Sequence, residues 1–110
     1  MYGFYFAVTP THGHHTFKNC VAFNNSGNNT NLSGDAIQAN NSWNLSITAD
    51  SADYLSLDVN LAKAARDPDG SLPGNDFAKL VSTSDLIDQG TPVGLPYLGN
   101  APDLGPFECK

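Results

Sequence analysis

The first half of the chain alternates short apolar stretches with polar ones. The apolar residues predict one strand from Phe4 to Val8, a second from about Thr16 to Phe23, and a further coil from Asp35 to Trp43. The intervening segment from Asn24 to Gly34 consists mostly of asparagine, serine, glycine and threonine, which predicts a polar loop. The pattern therefore indicates brief strands that are joined by turns and loops.

Two of these stretches match each other at a spacing of 20 residues. The segment from Cys20 to Asn24 aligns with the segment from Asn40 to Asn44, so that Phe23 and Trp43 occupy equivalent positions. A repeat of this length with short strands is typical of a solenoid whose coils stack on one another. We therefore expect Phe23 and Trp43 to stack in adjacent coils and to face the interior, where burying each contributes roughly 2–3 kcal/mol.

Asparagine is the polar residue that dominates this region, with nine between Asn19 and Asn44. It tolerates the left-handed backbone conformation of a coil corner, and stacked side-chain amides can form an asparagine ladder along the axis. The chain is thus predicted to be all-β, with the coils of a parallel β-helix in its first half.

The character of the chain changes after Asn44. Residues 56–66 predict a short helix with Ser56 or Asp58 as its N-cap, which ends before Asp67-Pro68. Residues 77–80 and 84–87 are short apolar pieces that we interpret as single helical turns, and residues 90–110 form an irregular tail. We accordingly expect one domain, with the last coils of a β-helix in residues 1–49 and a covering segment in residues 50–110.

The covering segment has too few apolar residues for a core of its own. Those residues are spread thinly among turns: Leu61, Phe77, Leu80, Leu86, Ile87, Leu95 and Leu104. We expect them to be buried against the coils, so that the segment seals the C-terminal end of the solenoid. The opposite end has no equivalent cover, which predicts marginal stability and self-association through the open edge of Tyr2 to Val8.

Charge is distributed unevenly between the two halves. Residues 1–49 hold one base, Lys18, and one acid, Asp35, while residues 50–110 carry the whole net charge of -6. This balance argues against nucleic acid and anionic membranes as partners, because both require a basic patch. It also repels an acidic polysaccharide unless a metal ion or a local basic stripe intervenes. We find no segment long enough to span a bilayer and no signal peptide within the chain.

Three sequence blocks in the covering segment carry a family resemblance. Residues Arg66 to Pro73, Leu86 to Gly90, and Gly94 to Glu108, preceded by the Asn-rich coils, closely resemble the C-terminal end of family 9 pectate lyases. The resemblance extends from about Tyr2 to Glu108. It implies a right-handed parallel β-helix, a secreted parent protein and a carbohydrate substrate.

The resemblance also implies the chemistry of the parent family. Its members cleave pectate by β-elimination, in which a lysine removes the proton beside the uronate carboxylate and calcium bound by aspartates stabilises the developing negative charge. The residues of that centre lie upstream of the portion that is matched here. We therefore expect this chain to be a structural fragment without catalytic residues, without a metal site and without a cofactor of its own.

Lys18 is the candidate for a catalytic base, because it is the one lysine on a coil. The residues that follow it, Asn19 to Asn24, form the asparagine pattern instead of the glycine-rich stretch that the resemblance implies after the base. Asp35 is the one acid in the first 49 residues, so no aspartate cluster lies nearby in sequence. A solvated surface lysine is the better interpretation.

Other candidate groups have simpler structural explanations. A transition metal could bind His12, His14 and His15, but a histidine-rich turn with a glycine needs no metal. The segment from Asp67 to Gly70 contains acids like a calcium loop, yet lacks the acid spacing of one and is explained as a turn. Asn-x-Ser/Thr glycosylation motifs also occur, but we attribute them to the abundance of asparagine; they begin at Asn24, Asn28, Asn31, Asn40 and Asn44.

The two cysteines do not identify the compartment. A disulfide between Cys20 and Cys109 would tie the tail to the coils, whereas free buried thiols explain the same residues without a bond.

Two other hypotheses about function are alternatives to a purely structural role. In one, the chain is a carbohydrate-binding module in which Tyr2, Tyr5, Phe23 and Trp43 stack on sugar rings; the fluorescence maximum of Trp43 would reveal its exposure. In the other, the chain is a complete lyase that acts through Lys18.

Overall fold

The computed structural model describes residues 1–109. Four short strands pair in two parallel sheets, β1 with β3 and β2 with β4. The strands are β1, Phe4–Tyr5; β2, Thr16–Lys18; β3, Thr30–Asn31; and β4, Ile37–Ala39. Since β1 and β2 lie on one turn of the chain and β3 and β4 on the next, two successive coils stack in register. The fold is mostly non-helical with parallel strands.

The register of β2 and β4 differs by one residue from the spacing of 20 predicted above. Thr16 pairs with Ile37 and Lys18 with Ala39, which is a spacing of 21. In this register Asn19 and Asn40 are equivalent, and both adopt the left-handed conformation, with φ of 56° and 52°. The coil corner is therefore set by these two asparagines, as their tolerance of positive φ predicts.

The expected stacking of Phe23 on Trp43 is wrong. The ring of Phe23 lies parallel to that of Tyr54, with centroids 5.7 Å apart, so it packs on the covering segment. Trp43 packs against Phe4 at 5.2 Å, and its indole N–H donates to Oε1 of Gln38 at 2.6 Å. Each ring has a different neighbour, because the register shift removes the equivalence on which the expectation was based.

Strand β3 lies inside the segment that was predicted to be a polar loop. The carbonyl of Asn29 accepts from the backbone N–H groups of Gly3 and Phe4, and the carbonyl of Asn31 accepts from that of Phe6. Backbone pairing of this kind needs no apolar side chain, so the polar composition of the segment concealed it.

Helical structure in the covering segment is shorter than predicted. Helix α1 comprises Val59–Ala62, and the side chain of Asp58 caps it by accepting from the N–H of Asn60 at 2.9 Å. Of the two pieces interpreted as helical turns, residues 77–80 are different, because Phe77 and Leu80 form isolated bridges with Ser56 and Tyr54 respectively. Residues 85–88, which overlap the second piece, form a turn. No helix in residues 1–109 is long and apolar enough to cross a membrane.

The hydrophobic core lies where the two halves of the chain meet. Its buried members all belong to the covering segment: Tyr54, Leu80, Leu86 and Leu104. Half-buried residues of the preceding half pack against them, including Val21, Phe23, Leu45 and Ile47. Leu95, which was expected to be buried as well, is 71% exposed. Neither half holds this core alone, because its side chains come from both.

Candidate functional site

Lys18 is exposed on β2, at the edge of an open cleft of about 630 Å³ between the first coil and the tail. The cleft is also lined by Tyr97, Asp103 and Glu108. Among the described residues, no carboxylate forms an ion pair with Lys18. The surroundings of Lys18 are therefore judged by which groups Asp103 and Glu108 bind.

Both acids in the cleft are bound to backbone N–H groups of the tail. Asp103 is 4% exposed; one of its oxygens accepts from the N–H of Asp88 at 2.8 Å and the other from that of Cys109. Glu108 accepts from the N–H groups of Leu98 and Asp103, each at 3.2 Å. Charge-assisted bonds of this kind fix irregular backbone in place, so these carboxylates organise the tail.

Asp88 has a similar role one turn away. Its backbone φ is 57°, and its Oδ1 accepts from the N–H groups of Asn100 and Ala101 at 2.9 and 3.1 Å. A Cβ on Gly99 would lie within 2.4 Å of that oxygen, so the close approach requires glycine there. The carboxylate thereby joins the block 86–90 to the block 94–108.

The carboxylates of residues 1–109 are not grouped as calcium ligands. Residues 1–109 contain no group of three or more His, Cys, Asp or Glu side chains that is placed to hold a metal ion. Calcium prefers six to eight oxygen ligands, and the oxygens of Asp88, Asp103 and Glu108 are instead occupied by N–H donors. The donor set present therefore does not fit the calcium that the resemblance implies for the parent family.

The remaining sequence candidates are not brought together into a site. His12, His14 and His15 are all exposed; Nδ1 of His14 lies 2.8 Å from the carbonyl of Asp35, and His15 packs edge-on against Phe6. Asp69 accepts from the hydroxyl of Ser71 at 2.6 Å, which lowers the pKa of its carboxyl group. These contacts are those of local turns.

The coil corner provides the most specific contacts between the two halves. The side-chain amide of Asn19 donates to the carbonyl of Thr91 at 2.9 Å and accepts from the N–H of Thr91 at 2.8 Å. The amide of Asn40 donates to the carbonyl of Gln89 at 2.9 Å. We call this set, Asn19 and Asn40 with residues 89–91, the corner seam. At this corner the expected ladder of stacked amides is replaced by bonds to the covering segment.

Backbone contacts extend the corner seam. The N–H of Gly105 donates to the carbonyl of Asn19 at 3.2 Å, and the N–H of Gly90 donates to that of Pro102 at 2.7 Å. Sequence reasoning missed the acceptors at Gln89 and Thr91. The apolar residues of the preceding block, Leu86 and Ile87, are explained by the core, so no signal in the sequence indicated these acceptors.

Within residues 1–109, no disulfide joins Cys20 and Cys109. Burial raises the pKa of the Cys20 thiol, which donates to the carbonyl of Lys18 at 3.4 Å. Burial, followed by the nearby charge of Asp53, raises the pKa of Tyr54 to about 12. Both shifts favour the neutral form, so neither group is activated as a nucleophile or base.

Comparison with known proteins relates the chain to one enzyme class. It is 44% identical to pectate lyase L of Dickeya chrysanthemi and 41% identical to pectate lyase L of Dickeya dadantii (strain 3937), each over 74% of this chain and 20% of the relative. The crystal structure of pectate lyase Pel9A superposes with a TM-score of 0.75 at 36% identity, over 87% of this chain and 23% of Pel9A. No family model matches. The chain spans about a fifth of the length of these relatives.

Proposed function

Because these similarities identify the chain as a partial pectate lyase-like domain, we propose that it is the C-terminal part of a polysaccharide lyase of that kind. In this proposal its residues 1–49 are the last coils of a right-handed parallel β-helix, and residues 50–110 cover the end of the solenoid. The role of this portion is architectural. It protects strand edges and apolar side chains that would otherwise pair with other chains.

The corner seam is the observation that carries this proposal. Asn19 and Asn40 occupy equivalent places on successive coils, and both direct their amides to the backbone of residues 89–91. A segment that is bonded to two coils at once holds them in register. This is what a covering segment must do.

A catalytic role for this portion has no support from its side chains. Lys18 lies beside acids that are already bound to backbone N–H groups, and the donor set does not fit calcium. The reaction of the parent, β-elimination of polygalacturonate with calcium, is accordingly assigned to other parts of the protein. We propose pectate as the substrate of that parent and the extracellular space as its location.

The proposal is tested by incubating the full 110-residue chain with polygalacturonate and calcium and following the absorbance of the unsaturated product. We expect none above a blank without protein, and no difference between the chain and Lys18→Ala. An active pectate lyase in parallel shows that the assay works. Calcium-dependent product that disappears in Lys18→Ala would assign the catalytic base to this chain and overturn the proposal.

A further inference from the structure

Two tyrosines form an exposed stacked pair on the first coil. The rings of Tyr2 and Tyr5 are nearly parallel, at 10°, with centroids 5.3 Å apart, and the residues are 38% and 57% exposed. We call this pair the tyrosine platform. Tyr5 lies on the outer face of β1, because its neighbour Phe4 is half-buried and adjacent side chains of a strand point to opposite faces.

The other aromatic residues of this region serve the packing of the coils. Phe4 packs against Phe17 and Trp43, and Phe6 packs against Phe17 and His15. The tyrosine platform contacts none of these rings in the described part of the chain. Its hydroxyl groups also make no hydrogen bond to any residue from 1 to 109. Among residues 1–109 the pair is thus amphipathic surface with no packing or hydrogen-bonding partner outside itself.

Polar groups flank the platform at a distance set by strand pairing. Tyr5 pairs in register with Asn31 on β3, and Asn31 is exposed with its amide unbonded among the described residues. An aromatic ring beside free hydroxyl and amide groups matches a pyranose ring, whose C–H face is apolar and whose edge carries hydroxyl groups. A uronate adds a carboxylate that can accept from the amide of Asn31 and from a tyrosine hydroxyl.

We infer that the tyrosine platform binds a uronate ring of an acidic polysaccharide. The choice of a uronate rests on the proposed function. It is also compatible with charge: residues 1–49 carry one base and one acid, whereas the whole net charge of -6 lies in residues 50–110. The segment that bears the platform is therefore neutral, whereas the net negative charge of the covering segment disfavours a polyanion. Phe23 and Trp43, which pack within the fold, take no part.

The test measures binding of a short oligogalacturonate of defined length to the full chain by titration calorimetry. We expect Tyr2→Ala and Tyr5→Ala each to weaken binding at least about tenfold, since stacking is lost. Tyr5→Phe keeps the ring and should stay within about threefold. The control is Val59→Ala, which truncates an apolar side chain that is 55% exposed on α1 and should leave the affinity unchanged. Circular dichroism establishes that each variant is folded.

Wild-type binding that is unaffected by Tyr2→Ala and Tyr5→Ala overturns the inference, as does the absence of binding by the wild-type chain. Equal affinity for the methyl-esterified oligomer overturns the assignment to a uronate. None of these outcomes bears on the architectural role, which is tested by the lyase assay. Product formation in that assay would overturn the proposed function while leaving the platform to be judged by the calorimetry.

Discussion

Single asparagines hold the two halves of this chain together. Asn19 makes two side-chain hydrogen bonds to Thr91, whereas Asn28 lies exposed in the loop between the coils with no side-chain bond among the described residues. A partly buried hydrogen bond contributes about 0.5–1.5 kcal/mol net. The sequence indicated asparagine at the corners, but not that its amides would bond to a segment some 70 residues away.

Replacing Asn19 by glycine should therefore destabilise the chain. Glycine accepts the positive φ of this corner, so the change isolates the amide bonds, and we expect a loss of about 1–3 kcal/mol in the free energy of unfolding. Urea unfolding followed by Trp43 fluorescence measures it. Asn28→Gly is the control, because it has a similar entropic cost and loses no bond. Equal decreases in unfolding free energy in the two variants would show that the amide of Asn19 has no structural role.

The raised pKa of Tyr54 predicts that the free energy of unfolding falls at alkaline pH. Its pKa is about 12 in the folded chain, against 10.0 ordinarily. As the pH rises, the unfolded chain loses the hydroxyl proton of Tyr54 before the folded chain does. The contribution of this group to the free energy of unfolding is therefore complete below pH 10 and is lost between pH 10 and 12.

Tyr54→Phe keeps the stack on Phe23 and removes the titrating hydroxyl. We expect its unfolding free energy to fall less than that of the wild-type chain between neutral pH and about pH 11. Urea midpoints at both pH values make the comparison. Parallel declines in the two proteins would show that Tyr54 is not responsible.

At the scale of secondary-structure elements, the sequence pattern predicted the positions of the strands better than it predicted their lengths or their register. Strand β2 begins at Thr16 as predicted, yet ends at Lys18, because the chain turns at the left-handed Asn19. Strand β3 was missed, since its residues Thr30 and Asn31 pair through their backbone alone. The spacing was off by one residue because similar composition on both sides of a corner allows either alignment.

The contact between the blocks around Gly90 and Pro102 depends on the absence of a side chain. A Cβ on Gly90 would lie 2.6 Å from the carbonyl oxygen of Pro102 and 3.0 Å from the side chain of Asn19. The backbone carbonyl of Pro102 cannot move away without disturbing its neighbours. We therefore expect Gly90→Ala to lower the free energy of unfolding by about 1–3 kcal/mol.

Gly74→Ala is the matched control for this change, because nothing lies within 4 Å of its Cβ position. We expect it to be neutral, or to stabilise by about 0.4–1 kcal/mol by restricting the unfolded chain. Thermal melts of both variants give the comparison. A Gly90→Ala variant as stable as Gly74→Ala would mean that the tail is not held against the corner.

At the scale of the molecule, several carboxylates of the covering segment accept hydrogen bonds that join separate parts of the chain. Asp53 accepts from the N–H of Asp50 and from the hydroxyl of Ser84, and Asp88 and Asp103 join successive parts of the tail. The excess of acids in residues 50–110 thus has a structural explanation. Composition could predict the negative charge, but only the folded tail identifies which N–H groups the carboxylates bind.

We expect the chain to unfold as a single cooperative unit, because the core and the corner seam both join residues 1–49 to the covering segment. Hydrogen exchange of the full chain, read by mass spectrometry, tests it directly. We expect peptides from residues 16–43 and 84–105 to lose protection together when Asn19→Gly and Asn40→Gly are combined. Coils that keep their wild-type protection while the tail exchanges freely would contradict the claim.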